Sequence, residues 1–248
     1  MMFRIFTAAI VCCVVTGCGA IKPMAFDKTA KTLDTKEKSI LLMTLEVSRS
    51  DGSRYVPEPF NMAFETPTAK SSDDRAFFQL NKAADSIQEN GKTLYLARMA
   101  LVGGEYKFQS VSGTASTFPF NAFFAVPLAM DVKVKPNSVT YIGRVTAKMR
   151  RRETGEFRAG PMFPLVDQGA AGMPRSTWEI VVEDKSEADL ALFRANYPVL
   201  KDVNIETGPI PKFDRAAAHR WSQGAAPSDL KEDAPASSAA AGAPAAGK

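Results

Sequence analysis

The segment from residue 130 to residue 146 sets the tightest limit on the fold. Met130, Val132 and Val134 alternate with Asp131, Lys133 and Lys135, and Val139, Tyr141 and Val145 alternate with Thr140, Arg144 and Thr146. A period of two sends apolar side chains to one face of a strand and polar ones to the other. Pro136-Asn137 between the two runs fits the centre of a β-turn. The pattern predicts a hairpin in an antiparallel sheet with one wet face.

Other segments extend this reading. Residues 39–48, SILLMTLEVS, form an apolar, β-branched run closed by Asp51-Gly52, and 75–80 is a shorter candidate strand. Residues 93–102 and 105–112 flank Gly103-Gly104, a two-residue connection of the hairpin kind. Trp178, Ile180 and Val182 alternate with Glu179 and Glu183, after which the period changes. Ser186 is placed to cap a helix, with Leu190, Phe193 and Tyr197 on one face and Pro198 as the stop. Many short strands separated by turns, with one short helix, predict a mainly β chain: an antiparallel β-sandwich with a short C-terminal α-helix.

The ends of the chain differ from its middle. Met1-Met2-Phe3-Arg4 is basic, residues 5–16 are apolar, and small residues follow, the order of a secretory signal peptide. Of the three cysteines, Cys12 follows Val11 and Cys13 follows Cys12, so neither has the required small neighbour, whereas Cys18 follows Val15-Thr16-Gly17. These four positions resemble the lipobox of bacterial lipoproteins. The resemblance implies cleavage after Gly17, acylation of Cys18 including palmitate, and a membrane anchor; Gly19 implies the outer membrane, facing the periplasm. Acylation at two or more sites anchors a protein stably, because each buried methylene contributes about 0.8 kcal/mol.

Residues 18–38 read as a polar tether about twenty residues long, spanning roughly 25 Å if flexible. Residues 39–213 read as the folded domain. Residues 214–248, rich in Ala, Pro, Ser and Gly, read as a disordered tail. A second resemblance rests on NSVTYIGRVTA and EIVVEDKSEADLALFRANYPVL, which together look like the closing half of β-sandwich lipoproteins of unassigned activity. It covers residues 137–200 and implies a fold, with no reaction attached.

Chemistry is sparse. Signal cleavage removes two of the three cysteines and acylation uses the third, so no thiol remains for a disulfide, a nucleophile or a metal site. The formal charge of +4 falls to +3 when Arg4 leaves, too small an excess to imply a nucleic-acid partner. His219, the one histidine, falls at the start of the tail, where a general base lacks a firm hold. Ser228 to Lys231 matches Ser-x-x-Lys by chance. Glu179 and Glu183 share a strand face but stand roughly 13 Å apart, beyond the reach of a glycosidase pair. No cofactor or metal is expected.

Two clusters stand out. Lys148, Arg150, Arg151 and Arg152 offer a contact for anionic lipid, lipopolysaccharide phosphate or an acidic envelope protein; the same charges also protect a strand end from pairing. The aromatics Phe118, Phe120, Phe123 and Phe124 read as core. The expected function is a non-enzymatic, lipid-anchored interaction module of the cell envelope. The alternatives are a periplasmic hydrolase with a site assembled from distant strands, or a structural component contacting peptidoglycan.

Overall fold

The computed structural model describes residues 21–49, 52–71, 73–161 and 169–224; Gly17, Cys18, Asp51 and the Ser228–Lys231 motif lie outside them. In chain order the strands are β1 (Ile21–Lys22), β2 (Ser39–Ser48), β3 (Val56–Glu65), β4 (Arg75–Gln79), β5 (Ser86–Glu89) and β6 (Lys92–Leu101), followed by β7 (Gly104–Thr117), β8 (Phe120–Val134), β9 (Val139–Arg151), β10 (Ser176–Glu183) and β11 (Glu206–Thr207). The helices are α1 (Lys82–Asp85), α2 (Ser186–Asn196) and α3 (Arg215–Ser222). One sheet has the order β1-β4-β3-β7-β8 and the other β10-β9-β2-β6-β5, with β11 also beside β9. They form a β-sandwich, mostly antiparallel, with parallel pairs at β2–β9, β1–β4 and β11–β9.

The expected hairpin at Pro136-Asn137 is corrected. β8 ends in the first sheet and β9 begins in the second, so this turn carries the chain across the sandwich. Gly103-Gly104 does the same between β6 and β7. Alternation reports which face of a strand is buried, and either partner satisfies that demand. The two crossovers touch: a Cβ on Gly103 would lie 2.5 Å from Pro136 Cγ, so only glycine fits there.

The alternation itself holds on β8, where Met130, Val132 and Val134 all enter the main core. On β9 it breaks at Gly143, which has φ 108° and sits where the β2–β9 register shifts. This bulge turns Val139 and Tyr141 outward while Val145 faces the core. The outward face is covered, not wet. Tyr141, Ile40, Leu42 and Leu96 pack with Phe193, Tyr197 and Leu200 in a second apolar layer outside the second sheet. β2 is therefore buried on both faces, which accounts for its unbroken apolar run.

That outer layer also overturns the tether. Ile21 pairs with Phe77 and Lys22 with Phe78 at the edge of the first sheet, Ala25 N–H donates to Arg98 O of the second, and Ala25, Phe26 and Leu33 pack on the outer layer. Residues 21–38 are a strap with few apolar residues and no period, so composition alone reads them as linker. The folded part also runs past residue 213, because α3 buries Ala218 in the main core. Asp214 caps this helix, accepting from Ala216 N at 2.8 Å.

Two buried ion pairs hold the outer layer. The Arg98 side chain is 2% exposed; its Nη2 donates to Asp85 Oδ1 at 2.6 Å, its Nε to Phe26 O at 2.9 Å, and its Nη1 to Leu96 O and the Tyr197 hydroxyl. Its guanidinium carbon lies 4.2 Å from the Tyr197 ring centroid. Asp189, fully buried on α2, accepts from Tyr141 Oη at 2.6 Å and from Arg144 Nε at 3.1 Å. Burial and the Asp189 carboxylate both push the Tyr141 phenol well above its ordinary range.

Replacing Arg98 with Met leaves Asp85 buried without its cation, a change that costs about 3–5 kcal/mol. Urea unfolding should show a lower midpoint at an unchanged slope. An unaltered midpoint would remove Arg98 from this role.

Candidate functional site

The two sheets leave open edges at β8 and β10, and one short loop joins them. Ala125 N–H donates to Ala159 O at 2.8 Å, Ala159 N–H to Ser176 O at 2.7 Å, and Trp178 Nε1 to Ala125 O at 2.8 Å. Phe124 packs against Trp178 with ring centroids 5.3 Å apart. Gly113 makes room for this contact, since a Cβ there would lie 2.5 Å from Phe124 Cζ and 2.2 Å from Glu58 O.

Helix α3 lies over this junction. Arg215 in its first turn donates to Trp178 O at 2.9 Å and to Glu156 Oε1 at 2.6 Å, and its guanidinium carbon stands 4.8 Å from the Phe157 ring centroid. Glu156 also receives Arg150 Nη1 at 2.8 Å and Glu153 N–H at 2.9 Å. The Arg150 hydrogen bonds, with those of Glu153 and Arg215, hold its carboxyl down at about 2.

Between α3 and the β3–β7–β8 surface runs a half-open groove of about 680 Å³. Its walls are largely apolar, with Phe60 and Phe123 on the sheet side, Phe157 in the loop, and Trp221 on the helix. Arg158, exposed, and His219 also line it. Pockets of this size and composition, with a few polar groups, are where small ligands and peptide segments bind. Gln223 Nε2 lies 2.8 Å from His219 Nε2, tying the end of α3 to its last turn. His219 Nδ1 is a buried atom with no hydrogen-bond partner among the described residues.

The aromatic run divides. Phe124 is core at 2% exposure, Phe120 is half-buried, Phe123 is 47% exposed and lines the groove, and Phe118 is 99% exposed at the tip of the β7–β8 hairpin. The expectation of core is therefore corrected for Phe118 and Phe123. Val56 and Phe60, 49% and 40% exposed, lie at the same end of the sheet. Alternation shows that Phe123 and Phe124 face oppositely; it cannot show which face is covered. His219 belongs to a helix wall, contrary to its placement in a tail.

The basic cluster separates too. Lys148, Arg150 and Arg151 line a shallow depression of about 750 Å³ with Arg175 and Glu179. Arg150 is committed to Glu156, and Arg152 Nη1 donates to Glu156 O. Lys148 is paired in register with Glu179 across β9–β10, and Glu183 with Arg144. Among the described residues no three His, Cys, Asp or Glu side chains gather as a metal site, and no helix is long and apolar enough to cross a membrane.

A carboxyl held at about 2 against an ordinary 4.5 contributes stability that is complete above pH 4.5 and lost as pH falls toward 2. Trp221 fluorescence should report α3 loosening in that acid window, and Glu156→Gln should abolish the transition there while loosening α3 at neutral pH. A Trp221 signal identical in the two proteins at every pH would disconnect Glu156 from the helix. Set beside known proteins, the chain that carries this groove matches no family model, no curated protein and no solved structure.

Proposed function

We propose that the chain is a lipid-anchored protein of the bacterial cell envelope that binds a ligand in the groove between α3 and the β7–β8 hairpin, without catalysing a reaction on it. The groove carries this reading: about 680 Å³, walled by Phe60, Phe123, Phe157 and Trp221, with Arg158 at its lining. Such a site selects an elongated or aromatic apolar group, and the exposed Arg158 favours a ligand whose far end is anionic. The Val15-Thr16-Gly17-Cys18 box supports the envelope location, most simply the periplasmic face of the outer membrane.

The reading separates anchoring from binding, and each has its own measurement. Cells expressing the protein should incorporate labelled palmitate at Cys18 and hold it in the membrane fraction, whereas Cys18→Ala should be unlabelled and retained as an unprocessed precursor or released. Photocrosslinking from position 123 in intact cells should capture a ligand or partner whose yield drops about tenfold with Trp221→Ala, the loss expected from removing an aromatic wall worth about 1.5 kcal/mol. Capture unaffected by Trp221→Ala would place binding elsewhere on the surface.

A further inference from the structure

The tip of the β7–β8 hairpin, residues 116–121, reads STFPFN and carries no charge. Phe118 there is 99% exposed, and Val56, 49% exposed, opens the neighbouring strand opposite Ser116. One exposed phenylalanine is ordinary on a protein surface. Here Phe118, Val56 and Phe60 share one end of one sheet with an uncharged tip between strands, which marks a contact surface.

The same end of the sandwich gathers arginines. β2 and β9 run in parallel and finish together, Ser48 beside Lys148, and the loop after β2 enters β3 at Val56 by the hairpin tip. Arg49 and Arg54 lie on that loop, Arg151 is in register with Ser176, Arg175 precedes Ser176, Arg158 precedes Ala159, and Arg220 is on α3. All six are exposed, and among the described residues none of them forms an ion pair. The carboxylates of this end are mostly engaged: Glu46 with Lys92 at 3.1 Å, Glu58 with Lys82 at 2.9 Å, Glu156 with Arg150 and Arg215, and Glu179 in register with Lys148. Glu153 and the helix-capping Asp214 remain. Counting Asp51 and Asp167, which lie outside the described residues, still leaves the cations in excess.

Depth along the strands separates the apolar and basic sets. Ser176 O accepts from Ala159 N–H and Ala159 O from Ala125 N–H, so Arg151, Arg158 and Arg175 stand near the level of Ala125. Five residues of β8 separate that level from Phe120, about 17 Å. A bilayer presents its acyl boundary and its phosphates in the matching order. An apolar wedge enters that boundary by about 5–10 Å, which leaves the arginines about 7–12 Å from it, among the headgroups and within about one Debye length of their charge. A protein interface sets its polar rim around its apolar core, whereas here the cations stand behind the apolar tip. Arginine suits the phosphate layer, since its guanidinium donates two parallel hydrogen bonds to one phosphate.

We infer that the β7–β8 tip is a membrane-docking wedge: Phe118 enters the acyl boundary of an anionic phospholipid bilayer while the arginines behind it bind the phosphates. The contact belongs to the folded domain, and it depends neither on the proposed acylation of Cys18 nor on what occupies the groove.

The test uses residues 18–248 with Cys18→Ala, a chain that keeps every described residue and has neither a thiol nor an acyl group. An environment-sensitive dye on Thr117→Cys should shift to the blue with vesicles of phosphatidylethanolamine and phosphatidylglycerol, and the same dye on Lys133→Cys, at the far end of β8, should not. Replacing the phosphatidylglycerol with phosphatidylcholine should weaken binding about tenfold or more, as should high salt. Phe118→Ser should weaken binding to the anionic vesicles about tenfold. Arg54→Glu combined with Arg175→Glu should do the same while circular dichroism stays unchanged. Equal binding to neutral and anionic vesicles, an equal blue shift at 133 and 117, or binding indifferent to Phe118→Ser overturns the inference. Absence of vesicle binding overturns it too, and dimerisation lost in Phe118→Ser would then assign the tip to a second copy of this chain.

Discussion

A buried guanidinium organises everything outside the two sheets. Arg98 projects from β6 into a space bounded by the N-terminal strap, α1 and the end of α2, and its donors are spent on all three. An arginine so enclosed is tolerated only when every N–H finds an acceptor and an anion stands nearby. Asp85 meets the second demand, and it is itself fixed by Asn81 N–H at 2.7 Å. The phenol of Tyr197, raised to about 12 chiefly by burial, stays protonated beside the cation. The outer layer has little regular structure of its own; its geometry comes from groups converging on one charge.

The sandwich solves its edge problem twice in the same manner. On one side, residues 21–25 run from the β4 edge of the first sheet to β6 of the second. On the other, residues 157–159 run from β8 to β10. Each strap satisfies backbone groups that an open edge would leave to water or to another chain. The second strap also creates the groove, because α3 must pack over it and cannot lie flush against a sheet whose Phe60 and Phe123 project outward.

Much of this was legible in residue order and much was not, for separable reasons. The β8 alternation, the Trp178 strand and the helix carrying Phe193 and Tyr197 were readable, because a buried face leaves a periodic record. Strand partners were not: Met130–Val134 and Val139–Thr146 look like a hairpin, and only the three-dimensional separation of the sheets assigns them apart. β3, with Pro57 and Pro59 in its sequence, carries prolines that argue against a strand, yet it is an interior one. The strap was hidden because Met24, Phe26 and Leu33 have no common period. Of the groove, residue order points Phe123 to the core and His219 to a tail; Trp221 and Glu156 give no signal, since their roles arise from a helix that the polar composition of residues 214–224 disguises.

The two-residue strand β1 has a consequence beyond placement. Among the described residues, the outer side of the five-residue strand β4 is met by Ile21 and Lys22. Proteolysis just upstream of Met24 would strip that cover and present a row of unpaired backbone groups at Phe77 and Phe78 to any strand of suitable length. The same few residues thus govern colloidal behaviour: a molecule cut at this point gains a sticky edge although its core is untouched.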